Sequence, residues 1–418
     1  MSIALLLAIT PLLGFVADVQ GTLGLADFSQ VLARPAAIGS GQAIDLATTP
    51  AVSVGLAGQR ASFGVGYAPR FALTDILRDQ PGSQVFHTVT AQAGWAYITP
   101  RFTLRLSESG SVARLNLLTL ALAPAPSQPL VTAPADPTVP RDQPAKPLTP
   151  DPAMARINLL TSTILTTATE QTTATAAYRW SPRWQSTVSA GYGIAGGLGA
   201  RAQESLPQAR TATVGASAAH TLSRRDSLNS TLSASQVTLS NGFNHWILIL
   251  GEAWNRQVTE DWSTLFLVGV ATTSSHEDAG HRKGSVLPTG SGSLRGTLAR
   301  ERNFVLSLGV GTSVAPVVNP LNGTLQTRWQ GTGALQMASH ETTASASVDA
   351  AQTFPLNDPN EARILGAGLG VGQGIGELVN VSAAFRTFWQ QAKQQVVSLP
   401  LQWIATVGIS VRAPPIKF

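Results

Sequence analysis

Two histidines, His276 and His281, flank Glu277 and Asp278, residue types that bind zinc in metalloproteases. Zinc capture on one helix needs the two imidazoles a helical turn apart. Here glycine interrupts and the spacing is wrong, so the run reads as a solvated surface loop. Asn244-His245 has serine nearby, but no acid or oxyanion donors can be placed around it. It reads as the start of a strand. Gly368, Gly370, Gly372 and Gly374 recur at every second residue, the spacing of one strand face rather than of a phosphate loop between strand and helix. The residues therefore point to no catalysis, no cofactor and no metal.

Charge enters instead singly, inside runs that alternate polar and apolar. Arg70, Arg105, Arg328, Arg386 and Arg412, with the acids Glu252 and Asp349, are assigned to the polar side of such runs. If that side lines a lumen, these seven are its candidate binding residues, and a mildly cationic wall favours anionic or polar cargo. Three segments repeat aromatic, proline, arginine and aromatic: Tyr67–Phe71, Tyr97–Phe102 and Trp180–Trp184. Aromatic rings settle at the headgroup level of a bilayer and arginine reaches lipid phosphate. Tyr67, Tyr97, Phe102, Trp180 and Trp184, with Trp403, form the expected interfacial girdle.

The elements that must position these groups are strands. From Val397 to Val411 one face carries Val397, Leu399, Leu401, Trp403, Ala405, Val407, Ile409 and Val411, and the other Ser398, Gln402, Thr406, Gly408 and Ser410. A tilted strand crossing a bilayer needs roughly ten residues of such a face. Similar runs recur along the chain, notably Asn303–Val314 and Leu365–Val371, and about eighteen can be drawn, with Ile157–Ala168 and Thr172–Trp180 as two of them. The expected fold class is all-β, a transmembrane antiparallel β-barrel in a bacterial outer membrane. Only 12% of residues are charged, against about 25% in soluble domains, which fits a membrane setting. The net charge of +5 is scattered, without a basic run, so nucleic acid is excluded as a partner. Zero cysteines rule out disulfides and thiolate metal sites.

The boundaries follow from where alternation stops. Residues 1–21 read as a weak secretory signal, apolar but without a positive start. Residues 22–50 show no clean period and read as an N-terminal periplasmic segment; 51–413 form the barrel, and 414–418 a C-terminal tail ending in Phe418, a candidate assembly signal. A Pro-rich loop, 123–152, interrupts the strands with too few donors and too little apolar area to pack. Connections at Ser181–Arg183, Ser223–Asp226, Val258–Asp261, Arg300–Asn303 and Ser339–Thr342 are tight; Ala195–Gln208, Ser274–Pro288 and Thr353–Glu361 are long. Short turns belong to the periplasmic end of such barrels. Counted backwards by that rule, the Pro-rich loop falls on the periplasmic side.

Thr49-Pro50, Tyr67-x-Pro69-Arg70, the Trp180–Trp184 hairpin, Gly191-Tyr192-Gly193 with Gly196-Gly197, Leu206-Pro207 and Leu222–Asp226 together resemble the Wzp-type outer-membrane barrels of exopolysaccharide export pathways. The likeness spans most of 49–418. It implies a porin-like barrel of about eighteen strands, with polysaccharide cargo, a periplasmic polysaccharide-export protein of the Wza type, outer-membrane lipid and the outer-membrane assembly machinery as partners. Pro414-Pro415 departs from the usual ending by breaking the last strand. A general diffusion porin and a purely structural barrel remain as alternatives.

Overall fold

The computed structural model describes residues 20–35, 42–58, 60–74, 76, 82–116, 164–276, 282–301, 303–318, 324–355, 362–376, 378–392, 402–414 and 416–417. Nearly all of them are strand. The first nine strands are β1 (Gln20–Pro35), β2 (Gln42–Ala57), β3 (Ala61–Thr74), β4 (Gly82–Ile98), β5 (Phe102–Asn116), β6 (Ile164–Ser181), β7 (Trp184–Gly197), β8 (Ala209–Thr221) and β9 (Asp226–Leu239). They are followed by β10 (Asn244–Gln257), β11 (Trp262–His276), β12 (Arg282–Arg300), β13 (Phe304–Val318), β14 (Leu325–Ser339), β15 (Thr342–Pro355), β16 (Ala362–Ile375), β17 (Val379–Ala392), β18 (Gln402–Arg412) and the short β19 (Ile416–Lys417). One helix, α1 (Ala200–Ser205), interrupts the connection between β7 and β8.

Each of the first seventeen strands pairs antiparallel with the next, and β18 returns to pair with β1 from Ala33↔Ala405 to Ala26↔Arg412. Closure leaves no strand edge to be desolvated in lipid. Eighteen strands about 4.8 Å apart and tilted about 40° give a backbone diameter of about 35 Å, which encloses an aqueous space rather than a filled core.

Partners across a ladder share a face, so the pairing register sorts every side chain as inward or outward. One face runs through Val31 and Val407, Leu25 and Val52, Val52 and Tyr67, then Val188, Val214, Leu250, Val268 and Leu369. These large apolar groups are exposed; Val268 keeps 70% of its surface and Leu369 62%. Only lipid can cover such a surface at low cost. The opposite face carries Ser53, Thr90, Gln92, Ser109, Ser111 and Thr169, and it surrounds the lumen.

Three expectations change. Residues 22–35 and 42–50 are not a periplasmic segment: β1 and the first half of β2 are barrel wall, and β1 is the strand that closes it. Their alternation is obscured because Asp27, Ser29 and Thr48 stand on the outward face, where Thr48 Oγ1 donates to Asp27 Oδ1 at 3.0 Å and Ser29 Oγ donates to Asp27 Oδ2 at 3.2 Å. The two strands drawn at Ile157–Ala168 and Thr172–Trp180 meet in one, β6, which runs unbroken from Ile164 to Ser181 through the polar Thr169 to Gln171, while 157–163 lie outside the described residues. One strand gained and one lost leave eighteen. The residues after Arg412 are also not a free tail, because Leu23 pairs with Ile416 and Thr22 with Lys417 beyond the proline break.

The Pro-rich segment belongs to the other end of the barrel from the one expected. Residues 123–152 lie outside the described residues, but the strand ends that flank them, Asn116 and Ile164, pair at the end opposite the short turns. That end carries the longer connections and is the extracellular one, while the start of β1 and the end of β18 lie at the short-turn, periplasmic end. Strands β11 and β12 run well into 274–288, so little of that connection is loop. Residues 1–19 and Phe418, which include the signal and assembly-signal expectations, fall outside the described residues.

Candidate functional site

The inner wall is built from small polar groups tied to one another across strands. Ser107 and Thr173 Oγ atoms lie 2.5 Å apart, and Ser111 and Thr169 2.7 Å. Glycines alternate with them, and at Gly66 a methyl group would meet Thr90 Oγ1 at 2.7 Å. Such a surface offers many weak hydrogen bonds and few deep pockets, as a conduit requires.

The register points Arg70, Arg105, Arg328, Asp349, Arg386 and Arg412 inward. Arg386 Nη2 donates to Asp349 Oδ1 at 3.1 Å although β16 lies between their strands. Gly366 makes this possible. A Cβ there would sit 2.6 Å from Asp349 Oδ1, so only glycine lets the carboxylate lie flat across β16. Arg328, on β14 beside them, is buried. Replacing Gly366 by valine is therefore expected to push Asp349 off Arg386, seen as a changed single-channel current with the barrel still folded.

Among the inward charges missed in the sequence are Asp45 and Arg295. Asp45 faces the lumen beside Ala72 and Ala47 on β2, and Arg295 does so on β12, opposite Gly309 and Ser263. Alternation in Ser291, Ser293, Arg295 and Thr297 carried the second signal. Arg105, Arg295 and Arg412 are all exposed and lie within roughly 12 Å of the short-turn end, on β5, β12 and β18, well spread around the circumference. Among the described residues Asp45 and Asp349 are the acids whose register places them inward, and both belong to the extracellular half.

Glu252 does not face the lumen. It pairs with Val268 and Ser230 and alternates with Trp246, Leu248 and Leu250 on the outward face. Its charge had suggested the lumen, but register decides the face. Asp27, Glu108 and Glu170 share this outward parity. A carboxylate near the middle of a lipid-facing strand is unfavourable, though less so than the ~2–4 kcal/mol of a midplane arginine or lysine. Glu252→Leu is accordingly expected to stabilise the barrel by about 1 kcal/mol, read as a higher urea midpoint in lipid vesicles.

Of the aromatic residues, Tyr97, Phe102, Trp180 and Trp184 stand at the short-turn end and Trp403 near the opposite end of β18. Tyr178 packs edge-on against Trp180 at 4.6 Å, and Trp184 stacks on His220 at 4.1 Å. Tyr67 is different. It sits midway along β3, where its hydroxyl lies 2.8 Å from His87 Nδ1.

The extracellular end of the lumen is narrowed. Ala209, Val237 and Ile247 point inward and join Leu239, Val318 and Leu325 in a buried cluster. Helix α1 lies against β7, where a Cβ on Gly197 would come within 2.5 Å of the Ala202 carbonyl. His245 is buried there, its Nδ1 3.0 Å from Ser275 Oγ. Residues 277–281, the middle of the zinc-like run, lie outside the described residues, and among the described residues no three metal-ligating side chains converge.

A closed antiparallel barrel with an apolar outer band, short turns at one end and a polar lumen defines an outer-membrane β-barrel channel. The chain belongs to the EpsX exopolysaccharide export family, whose model matches residues 30–416. No curated protein sequence matches it significantly. Similar solved structures include the outer membrane protein opdK from Pseudomonas aeruginosa, with 10% identity, 97% of this chain and 100% of that chain covered and a TM-score of 0.44. OccAB3 from Acinetobacter baumannii gives 12% identity, 96% and 100% coverage and 0.43. A BenF-like porin from Pseudomonas fluorescens Pf-5 gives 11%, 97% and 100%, and 0.44.

Proposed function

We propose that this channel carries a hydrophilic exopolysaccharide across the outer membrane to the cell surface. The observation that carries the reading is the inner wall itself: among the described residues it is largely serine, threonine, glycine and scattered arginines, which offer many weak contacts along the lumen. The sugar hydroxyls exchange water for the wall's hydroxyls and amides step by step. The short-turn end faces the periplasm, so a polysaccharide-export protein would deliver the chain there. In a polysaccharide-producing cell, deletion of this protein is expected to leave synthesis intact and to hold polymer in the periplasm. Normal surface polysaccharide with impaired uptake of small hydrophilic solutes would instead establish a general diffusion porin.

The Pro-rich stretch 123–152 falls between β5 and β6. Because Asn116 and Ile164 already pair at its base, deleting 123–152 is expected to leave a folded, heat-modifiable barrel on electrophoresis. A change in conductance in that variant would show that the segment enters the lumen.

A further inference from the structure

Resting on the export reading, we propose that the periplasmic end of the lumen holds a docking site for acidic sugar units, in a recess between the lower ends of β6 to β11. Its volume is about 630 Å³, within the range of ligand pockets, and its basic lining comprises Arg179, Arg183, Arg224 and Arg225. Asn229 and Asn255 complete the polar wall. Guanidinium groups bind carboxylates through two parallel N–H bonds, and side-chain amides pair with hydroxyls as both donor and acceptor. Together they match a sugar ring that carries a carboxylate.

The recess is held in shape before any ligand arrives. In the turn from β8 to β9, Ser223 Oγ accepts from the backbone N–H groups of Arg225 and Asp226, both at 3.0 Å. This fixes the backbone of the turn that carries the two arginines. Asp226, the acid in the lining, is already engaged: Ser223 Oγ donates to its Oδ2 at 2.8 Å, and Arg256 Nε lies 3.9 Å from its Oδ1. Asn229 and Asn255 sit on the inward face of β9 and β10, so the recess opens to the lumen rather than to lipid headgroups. Just above, the exposed Arg105, Arg295 and Arg412 continue the same sign around the wall. An acidic polymer is thus met by cations on entry, whereas the arginines of the extracellular half include Arg386, already paired with Asp349.

The test uses the full-length protein in planar bilayers of neutral lipid, with oligogalacturonate added at the short-turn side. Oligogalacturonate is expected to interrupt the current, at a rate that falls steeply between low and high salt. Dextran of equal length is expected to do so far less often. The double variant Arg224→Gln, Arg225→Gln, with interruptions scored against its own open-channel current, should lose about tenfold in interruption rate, equivalent to about 1.4 kcal/mol. Asn229→Ala with Asn255→Ala should weaken both sugars alike. Equal blockade by dextran and oligogalacturonate, or an unchanged rate in the arginine variant, overturns the proposal while leaving the channel standing. So does an arginine effect that appears only with anionic lipid in the bilayer. A wild-type protein that folds but passes no current overturns the export reading and the proposal together.

Discussion

Exchanging Arg105, Arg295 and Arg412 together for glutamate is expected to reverse the ion preference of the open channel. These three are exposed, lie near one depth at the periplasmic end and have no inward acid beside them among the described residues. In water a unit charge about 10 Å away changes an ion's energy by about 0.4 kcal/mol, and screening over one Debye length cuts that about threefold. The triple exchange alters the wall by six units of charge, so cation and anion barriers each move by roughly 1 kcal/mol, in opposite directions. That is about a fivefold change for each sign of ion. The zero-current potential under a salt gradient is expected to change sign, and the effect should fade in molar salt. A potential that keeps its sign would mean that selectivity is set at the narrowed extracellular end.

Removing Gln20–Pro35 is expected to abolish the barrel. Strand β1 pairs along its whole length with β2 and from Ala26 to Ala33 with β18. Without it, two strand edges face lipid, and each unpaired backbone group there costs several kcal/mol. Tens of kcal/mol are lost in total, more than a domain's net stability of about 5–15 kcal/mol. The variant should give no heat-modifiable band and should collect as aggregate during assembly. A periplasmic lead-in could be removed without harm, so a folded product would contradict the closure of β1 on β18.

Much of the wall was legible in the sequence because period two is a direct image of a half-buried strand. Where the outward face is apolar, as at Val407, Ile409 and Val411, the strand announces itself and its register follows. Legibility fails where the outward face turns polar. Asp27, Ser29 and Thr48 satisfy one another through side-chain bonds that no pattern of hydrophobicity records, so the closing strand looked like a periplasmic segment. Glu252 was misplaced for the same reason, since a charge was taken to mark the lumen. The Asp349–Arg386 pair was half visible: both faces were read from alternation, but their meeting across β16 depends on Gly366, a contact between strands. The recess at the periplasmic end could not be read from the sequence at all. It gathers residues from six strands and their turns, and only closure brings them together.

The division of the wall into a wet and a lipid-covered face can be measured directly, because the chain has no cysteine to interfere. Single cysteines placed at Val407, Ile409 and Val411 and at Thr406, Ser410 and Arg412 can be challenged in proteoliposomes with a membrane-impermeant maleimide. The even positions are predicted to react and, once modified, to reduce the channel current, while the odd positions stay unreactive. Labelling confined to the odd positions, or equal labelling of both sets, would contradict a water-filled lumen inside an apolar wall.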